Sequence, residues 1–370
     1  MNLNLSGKTL LITGGTGSLG IALLDELLTK FADVRQIIVY SRDEFKQFEL
    51  SQRYTGRSEI KWRIGDVADY ERLKHVCKNV DIIFHLAAMK QVPACELNPD
   101  ECIKTNIVGT QNLIRVANET GVKKVLAVST DKAVKPVNAY GGSKLIMEKL
   151  IRCADAENAD CKFSVVRFGN FAMSRGSVIP LFLAQKSKGL DLSITDPSMT
   201  RFCISEQEAA SCLLKVLQLM KGSEIFIPKM KSYRICDIAR VISNPGRWKV
   251  TGLRLGERMH EELICPSEGG MVVETEQWLI MLFSDSLHKY ELLNCKIHTA
   301  GFSYRSDLNN DWYTQEDIKR VLVNYELISE SGRYRSISTT CTATTKTSSS
   351  ETTKSTAESA TPVTRLPASS

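Results

Sequence analysis

Two side chains that could share a proton-transfer task, Tyr140 and Lys144, stand four positions apart in the sequence. Residues at positions i and i+4 lie on one face of a helix. A lysine ammonium beside a phenol favours the phenolate, so it lowers the phenol's pKa and makes the phenol a usable base near neutral pH. The same spacing also occurs as a surface pair, so its meaning depends on the elements that position it.

A glycine pattern near the start of the chain predicts a phosphate-binding turn. It follows a strand-like run, Thr9–Thr13, and opens into an amphipathic stretch, Ser18–Lys30. Glycines at such a turn let backbone N–H groups and the helix N-terminus approach a pyrophosphate without obstruction by Cβ atoms. An ordinary glycine-rich turn is the alternative, but the strand before it and the helix after it favour a dinucleotide. The predicted phosphate-binding residues are Gly14, Thr16, Gly17, Ser18, Leu19 and Gly20.

The end of the second predicted strand indicates which dinucleotide binds. Ser41 and Arg42 precede the first acid, Asp43. A hydroxyl and a guanidinium suit a ribose 2′-phosphate, so NADP is favoured over NAD, with Lys46 assisting. In the alternative, Arg42 is a solvated charge and Asp43 binds the ribose. The further predicted cofactor contacts are Asp66, which would meet the adenine amino group, Val67, Ala87, Tyr140 and Lys144.

The elements that must position these residues alternate regularly through residues 1–170. Strands are predicted at Thr9–Thr13, Gln36–Tyr40, Ile60–Gly65, Val80–His85, Lys124–Val128 and Phe163–Arg167. Helices are predicted at Ser18–Lys30, Tyr70–Cys77, Pro99–Glu119 and Tyr140–Ala156. This succession predicts an α/β fold, a Rossmann-like doubly wound parallel sheet that forms the NADP-binding domain.

The regular alternation weakens after residue 170. Residues 171–335 predict a smaller mixed α/β C-terminal lobe that binds substrate, with later segments returning to the first domain. Its predicted strands and helices are Leu192–Thr195, Phe202–Ile204, Glu224–Pro228, Glu206–Met220 and Cys236–Val241. Residues 336–370 are rich in Ser and Thr and almost lack large apolar side chains, so this tail is expected to be disordered.

Composition narrows the class of protein. With 43% hydrophobic and 24% charged residues over 370 positions, the chain is expected to be a soluble globular protein. The net charge of +6 is spread without a long basic block, which disfavours nucleic acid as a partner. The 11 cysteines and the absence of a signal-like N-terminus or a bilayer-length apolar run predict a cytoplasmic location without a membrane anchor. No metal-ligand spacing is present.

Together these motifs resemble the extended short-chain dehydrogenase/reductase superfamily. Within it, Thr130-Asp131-Lys132 after the fifth strand is similar to the inverting UDP-N-acetylglucosamine 4,6-dehydratases. Tyr140, where capsule-pathway relatives usually carry methionine, favours the pseudaminic-acid type. Matching segments are 40–44, 102–106, 175–180, 194–196, 199–202 and 252–257.

The resemblance implies the roles of the reactive residues. Tyr140, tuned by Lys144, would accept the proton of the sugar 4-hydroxyl while hydride passes to a tightly bound, recycled NADP. Lys132 would remove the carbon-5 proton, Asp131 would protonate the departing 6-hydroxyl, and Tyr140 would reprotonate carbon 5 from the other face. For these tasks the pKa of Lys132 must fall and Asp131 must be held protonated. An exposed ion pair at a strand end is the alternative for Asp131 and Lys132.

The resemblance also implies the contacts of a UDP-sugar. The expected residues are Leu86, Lys90, Thr105, Asn106, Asn170, Val178, Thr195, Arg201, Arg254 and Glu257, with Lys90 also contacting the cofactor. Family members form dimers or hexamers, so a homo-oligomer is expected. Two other functions stay open: a UDP-hexose 4-epimerase or bifunctional dehydratase/epimerase, and a non-catalytic NADP-binding regulator. His85 and His260 are expected to be structural.

Overall fold

A computed structural model describes residues 3–157, 160–173, 177–243, 247–254, 256–268, 271–283, 295–298 and 301–324. The predicted tail over 336–370 lies outside the described residues, as do Arg175, Gly176 and Leu255 of the family motifs.

The strands and helices follow the predicted alternation through the first half of the chain. The strands are Thr9–Thr13 (β1), Gln36–Ser41 (β2), Ile60–Ile64 (β3), Ile82–His85 (β4), Lys124–Thr130 (β5), Lys162–Phe168 (β6), Asn170–Phe171 (β7), Leu192–Ile194 (β8), Thr200–Ile204 (β9), Ile225–Pro228 (β10), Lys231–Arg234 (β11), Trp248–Val250 (β12), Glu262–Ile264 (β13), Met271–Glu274 (β14), Trp278–Leu282 (β15), Lys296–His298 (β16) and Tyr304–Arg305 (β17). The α-helices are Ser18–Lys30 (α1), Glu44–Arg53 (α2), Tyr70–Val76 (α3), Val92–Leu97 (α4), Pro99–Ile103 (α5), Gly109–Thr120 (α6), Ala139–Glu157 (α7), Val178–Ser187 (α8), Glu206–Leu219 (α9), Ile235–Ile242 (α10) and Gln315–Asn324 (α11).

The central sheet has the order β16-β14-β15-β10-β6-β5-β4-β1-β2-β3. The strands from β10 through β3 pair in parallel, whereas β15, β14 and β16 continue the sheet antiparallel. The order 3-2-1-4-5-6 is that of a dinucleotide-binding fold and confirms the predicted doubly wound sheet. Every residue of β1 is buried, as expected for a strand covered by helices on both faces. The strand order reverses beside β1, so a ligand site is expected at its carboxyl end.

The residues after 170 contribute to two places. Strands β10, β14, β15 and β16 extend the main sheet. A separate apolar cluster forms around α8, α10 and α11, where Phe182, Ile238 and Leu322 are buried together. The second lobe therefore has its own core, while much of its chain lengthens the first sheet.

One predicted helix is interrupted, and four helices of the described residues have no predicted counterpart. The stretch predicted as one helix over Pro99–Glu119 contains a π-helical turn at Lys104–Val108. Such turns accommodate an extra residue within a helix and are frequent at functional sites. The unpredicted helices are α2, α4, α8 and α11. Helix α2 lacks the periodic signal of a buried face because Phe45 and Phe48 are 66% and 62% exposed.

Candidate active site

The glycine turn after β1 has the shape that a phosphate ligand requires. Gly14 adopts φ +67° and donates its N–H to the Tyr40 carbonyl at 2.8 Å. A Cβ atom at Gly14 would lie 2.8 Å from the Ala87 backbone, and one at Gly20 would lie 2.6 Å from Gly15. These close approaches explain why glycine occupies both positions.

Helix α1 begins at this turn with an N-terminus suited to an anion. Among the described residues, no side chain caps the helix at Gly17, and its first turn carries no acid. The free N–H groups and the positive end of the helix dipole therefore face the turn. This arrangement fits the pyrophosphate of a dinucleotide.

The two cations predicted to bind a ribose 2′-phosphate, Arg42 and Lys46, pair with acidic side chains of the protein. The Arg42 guanidinium contacts the Asp66 carboxylate at 3.3 Å, and Lys46 pairs with Asp43. Ser41 is buried, and its hydroxyl accepts a hydrogen bond from Gln47 at 3.0 Å. Arg42 is thus held at the end of β2, where the adenosine ribose of a bound dinucleotide would lie.

A cavity of about 490 Å³ opens beside the glycine turn and brings most of the predicted residues together. The predicted site residues that line it are Gly14, Gly17, Ser18, Leu19, Gly20, Leu86, Ala87, Lys90, Lys132, Tyr140, Lys144, Asn170, Arg201, Arg254 and Glu257. Glycine-turn residues and Lys132 thus share one cavity, as a shared cofactor and substrate site requires.

The other predicted residues lie outside the cavity wall. Five of them lie near the ends of β2 and β3: Ser41, Arg42, Lys46, Asp66 and Val67. Three are buried in turns, Thr16 in the glycine turn and Thr105 and Asn106 in the π-helical turn. Val178 begins α8, Thr195 follows β8, and Asp131 has no exposed surface.

Asn106 has a structural task. Its side-chain oxygen accepts the Met89 N–H at 2.8 Å. Its side-chain nitrogen donates to the Met89 carbonyl at 2.9 Å and to the Ser143 hydroxyl at 2.8 Å. The π-helical turn therefore ties α7 to the loop after β4.

Asp131 and Lys132 form a buried pair and not an exposed one. Asp131 is fully buried, and its Oδ1 atom accepts hydrogen bonds from the Lys132 Nζ at 2.9 Å and the Thr130 hydroxyl at 2.8 Å. Burial raises the pKa of Asp131, the Glu261 carboxylate raises it further, and Lys132 opposes the rise. The direction of this shift is the one that a proton-donating Asp131 needs, and the protonated form stays a prediction.

The expectation that the pKa of Lys132 falls is wrong for this structure. Burial alone would lower that pKa, but the carboxylates of Asp131 and Glu261 outweigh burial and raise it. Sequence reasoning could not weigh this balance because Glu261 is distant along the chain.

The expected tuning of Tyr140 by Lys144 is also wrong. Burial raises the pKa of Tyr140 to about 12, and the cation that lowers it is Lys132, aided by a hydrogen bond between the phenol and Thr130. The Lys144 ammonium instead donates to the Met147 Sδ atom at 2.9 Å, and burial lowers its pKa to about 8. Lys144 shares a helix face with Tyr140 and lines the same cavity, but its ammonium contacts Met147.

Two charged cavity-lining residues, Arg258 and Glu261, have no counterpart among the predicted residues. The Oε1 atom of Glu261 lies 3.4 Å from both the Lys132 Nζ and the Arg201 Nε. Although burial opposes the effect, Lys132, Arg201 and Arg258 hold the pKa of Glu261 below its usual range. Glu261 directly precedes strand β13, whose first residue is Glu262. No sequence signal tells which of these two adjacent acids faces inward.

Three buried oxygen atoms point to a ligand. Within the part of the chain that the structure describes, the Ser129 hydroxyl, the Asp131 Oδ2 and the Asn170 Oδ1 have no hydrogen-bond partner. Ser129 and Asn170 line the cavity, and Lys132, the neighbour of Asp131, lines it too. Buried polar atoms normally find partners. A polar ligand in the cavity would supply them.

The two histidines noted in the sequence have protein partners. His85 lies between the Thr13 hydroxyl at 2.9 Å and the Thr110 hydroxyl at 3.1 Å, and burial lowers its pKa to about 3. His260 contacts the Thr200 hydroxyl at 2.8 Å. Over the described ranges, no group of His, Cys, Asp or Glu side chains could hold a metal ion, and no helix is both long and apolar enough to cross a bilayer.

Comparisons with known proteins agree with this fold. Residues 10–282 match the family model described as polysaccharide biosynthesis protein. The chain is 42% identical over 334 residues to the UDP-N-acetylglucosamine 4,6-dehydratase (inverting) of Campylobacter jejuni subsp. jejuni serotype O:23/36, covering 87% of this chain and 99% of that protein. It is also 42% identical over 334 residues to a Rickettsia bellii protein named UDP-glucose 4-epimerase, covering 87% of this chain and 97% of that protein.

A solved structure shows the same architecture. The X-ray structure of Pen from Bacillus thuringiensis matches with a TM-score of 0.80 at 34% identity, covering 88% of this chain and 100% of that one. These matches confirm the resemblance that the glycine turn and the Thr130-Asp131-Lys132 motif predict. The chain therefore belongs to the polysaccharide biosynthesis protein family and is a relative of the inverting UDP-N-acetylglucosamine 4,6-dehydratases.

Proposed function

We propose that the protein dehydrates UDP-N-acetylglucosamine across carbons 4 to 6 with inversion at carbon 5, giving a UDP-4-keto-6-deoxy-L-hexosamine. The observation that carries the proposal is the buried pair of Asp131 and Lys132 beside a cavity that also holds the glycine turn and Tyr140. An elimination needs an acid and a base within reach of adjacent carbons. The similarity to proteins named as inverting dehydratases supports the same reaction.

The cofactor of the proposal is a nicotinamide dinucleotide. The α1 N-terminus and the glycines would bind its pyrophosphate, and Leu86 and Ala87 would line the space beside it. A nicotinamide held there would supply a hydride acceptor for carbon 4 of the sugar and a hydride donor for carbon 6, so the cofactor would be recycled. Arg42 at the end of β2 supports NADP as the preferred form, because a guanidinium recognises a phosphate well.

Tyr140 takes the proton of the sugar 4-hydroxyl in this proposal. Burial raises the pKa of this phenol, whereas the positive charge of Lys132 and a hydrogen bond with Thr130 lower it and so favour the phenolate that accepts a proton. The resulting 4-ketone makes the carbon-5 proton acidic. After the elimination, the phenol is the candidate donor that returns a proton to carbon 5 from the opposite face.

The elimination uses Asp131 and Lys132 together. A proton shift along their 2.9 Å hydrogen bond converts an ammonium and a carboxylate into a neutral amine and a carboxylic acid. The amine then removes the carbon-5 proton while the acid protonates the 6-hydroxyl, so the carbon-6 to oxygen bond breaks and water leaves. Burial favours the neutral forms of both groups in this exchange.

The test is direct product analysis. Purified protein incubated with UDP-N-acetylglucosamine, without added cofactor, should give a product lighter by one water whose NMR spectrum shows inversion at carbon 5. A dehydrated product without inversion contradicts the stereochemical assignment, and no product from this or close analogues supports a non-catalytic regulator.

A 4-epimerase is the second candidate, because the Rickettsia bellii relative bears that name. Epimerisation at carbon 4 needs a base for the 4-hydroxyl but no acid or base for carbons 5 and 6. The buried Asp131–Lys132 pair therefore favours dehydration. A product of unchanged mass with an inverted carbon 4 would establish the epimerase.

The proposal extends to the protein's setting. Tyr140 supports the pseudaminic-acid type of pathway, the composition supports a cytoplasmic location, and the family resemblance of the motifs supports a homo-oligomer, a dimer or hexamer. Light scattering coupled to size-exclusion chromatography measures the oligomeric state.

A further inference from the structure

Glu261 is a buried carboxylate to which the proposed reaction assigns no task. Its side chain is 4% exposed, and its Oε1 atom lies 3.4 Å from the Lys132 Nζ and 3.4 Å from the Arg201 Nε. A buried carboxylate is tolerated when nearby cations compensate its charge. Glu261 therefore bridges Lys132 and a second buried cation, Arg201.

Hydrogen bonds between the Glu261 backbone and Ser306, which is fully buried, hold Glu261 in place. The Ser306 hydroxyl accepts the Glu261 N–H at 2.9 Å, and the Ser306 N–H donates to the Glu261 carbonyl at 2.9 Å. The same hydroxyl contacts the Thr200 hydroxyl at 2.7 Å, next to Arg201. This clamp fixes the carboxylate relative to both cations.

Asp131, Lys132, Arg201 and Glu261 carry two positive and two negative charges when all are ionised, and the Arg258 charge adds to them. Arg201 and Glu261 offset each other, which leaves one proton for Asp131 and Lys132 to share. The other titratable groups that act on the cluster are Tyr140 from α7, Tyr233 from β11 and Arg258 from the segment before β13. Without the Glu261 charge, Arg201 would repel the shared proton.

We propose that Glu261 is a positioning residue that neutralises Arg201 and thereby keeps the shared proton on the Asp131–Lys132 pair. The inference rests on the proposed dehydration, because the pair needs that proton to release the 6-hydroxyl as water. Glu261 itself touches neither the substrate nor the cofactor in this assignment.

The opposite pKa shifts of the two acids support the geometry. Burial and the Glu261 charge raise the pKa of Asp131, while Lys132 and Arg201 keep the pKa of Glu261 low despite its burial. Groups whose surroundings drive their pKa values apart take different tasks in a site.

The first test is the pH dependence of turnover in Glu261→Gln, which removes the charge and keeps the shape. Its alkaline limb should move to lower pH by about one unit or more, because a charge at ~4–6 Å shifts a pKa by roughly 1–3 units. On that limb turnover should fall about tenfold or more, with KM changed less than kcat. The adjacent Glu262→Gln, whose carboxylate pairs with exposed Lys135, is the matched control and should leave the profile unchanged.

Two further variants separate charge from shape. Glu261→Gln combined with Arg201→Met restores the charge balance and should return the alkaline limb toward that of the wild type. Ser306→Ala loosens the clamp without altering charge, so it should lower kcat and leave the limb in place. A folded Glu261→Gln protein with the wild-type profile overturns the proposal.

An infrared measurement tests the shared proton without turnover. The Asp131 band, carboxylate or protonated carboxyl, is identified by its disappearance in Asp131→Asn, and the pH at which this band changes as the pair loses its proton should be lower in Glu261→Gln than in the wild type. Unchanged titration of the band overturns the proposal, even if the wild type makes no dehydrated product. Absence of product from the wild type contradicts the dehydratase function separately.

Discussion

Two buried charge clusters lie along one helix of this protein, and they differ in how completely their charges are satisfied. In the first, Arg167 makes a two-pronged contact with Glu148 at 2.9 and 2.7 Å and contacts Glu268 at 2.6 Å. In the second, Asp131, Lys132, Arg201 and Glu261 meet at 2.9 to 3.4 Å, and the Asp131 Oδ2 has no partner among the described residues.

This difference separates a structural cluster from a reactive one. The Arg167 cluster borders no described part of the cavity, and its arginine has no exposed surface. The Lys132 cluster lines the cavity and keeps an oxygen atom available for a ligand. Complete hydrogen bonding rigidifies a buried network, whereas an unsatisfied group is held ready for another partner.

Helix α7 connects the two clusters through one face. Tyr140, Lys144 and Glu148 follow each other at intervals of four residues, from the cavity toward Arg167. The Glu148 carboxylate partly offsets the effect of burial on the pKa of Lys144. The protonation of Lys144 therefore depends on the structural cluster as well as on the cavity.

The largest expected effect is on turnover. Lys132→Gln should lower kcat by roughly 10²–10⁴-fold, the usual contribution of one general acid or base, while dinucleotide binding survives. Lys135→Gln, which removes an exposed lysine three residues away, is the control and should keep full activity. Steady-state product formation measures both, and unchanged turnover in Lys132→Gln would remove this lysine from the mechanism.

The next effect is on stability. Arg167→Met leaves Glu148 and Glu268 buried without their cation and should lower the free energy of unfolding by about 3–5 kcal/mol. The double replacement Arg167→Met with Glu148→Met should recover part of this loss. Urea unfolding followed by circular dichroism measures it. A loss below about 1 kcal/mol would show that the cluster contributes no more than a surface pair.

A pH-dependent effect follows from Lys144, whose pKa is lowered from 10.5 to about 8 by burial. Between these pH values the unfolded chain retains a proton that the folded chain has lost, so stability rises with pH. Relative to Lys144→Met, the wild type without cofactor should gain on the order of 3 kcal/mol from pH 8 to pH 10.5, at about 1.4 kcal/mol per pKa unit.

The control for Lys144 lies on the same helix. Lys149→Met removes an exposed lysine and should leave the dependence of stability on pH as in the wild type. Parallel stability curves for Lys144→Met and the wild type over this range would contradict the lowered pKa.

The smallest effect on stability is expected for an ion pair whose charged atoms lie close together but whose side chains are exposed to solvent. Lys319 contacts Glu316 at 2.8 Å, about as closely as the buried pairs, yet the two side chains are 50% and 69% exposed. Lys319→Met should change the free energy of unfolding by less than about 1 kcal/mol. A larger loss in thermal unfolding would mean that distance, and not burial, governs the contribution of ion pairs here.

Much of the fold could be predicted because the signals are local. The strand Thr9–Thr13 and the helix Ser18–Lys30 have the predicted bounds, since an apolar run, a glycine turn and a helical period follow each other without interruption. Helix α2 was missed because its large apolar side chains face outward. The π-helical turn could not be predicted, because the Asn106 amide is held by Met89, a residue of another loop.

The candidate site was predictable in composition but not in electrostatics. Tyr140, Lys132 and the glycines could be selected because motifs mark them along the chain. Glu261 carries no such mark, since it and Glu262 are neighbours of the same type, and only the folded backbone directs one toward Lys132 and the other toward exposed Lys135. The pKa shifts of Lys132 and Tyr140 were misjudged for the same reason.

The sequence by itself determined the class of fold, the phosphate-binding turn and the residues able to exchange protons, because each is set by residue type and short spacing. Only the tertiary structure decided which charges those residues meet: Glu261 at Lys132, Met147 at Lys144 and Asp66 at Arg42. A pKa depends on burial and on charges within a few ångströms in space, and neither is a property of distance along the chain.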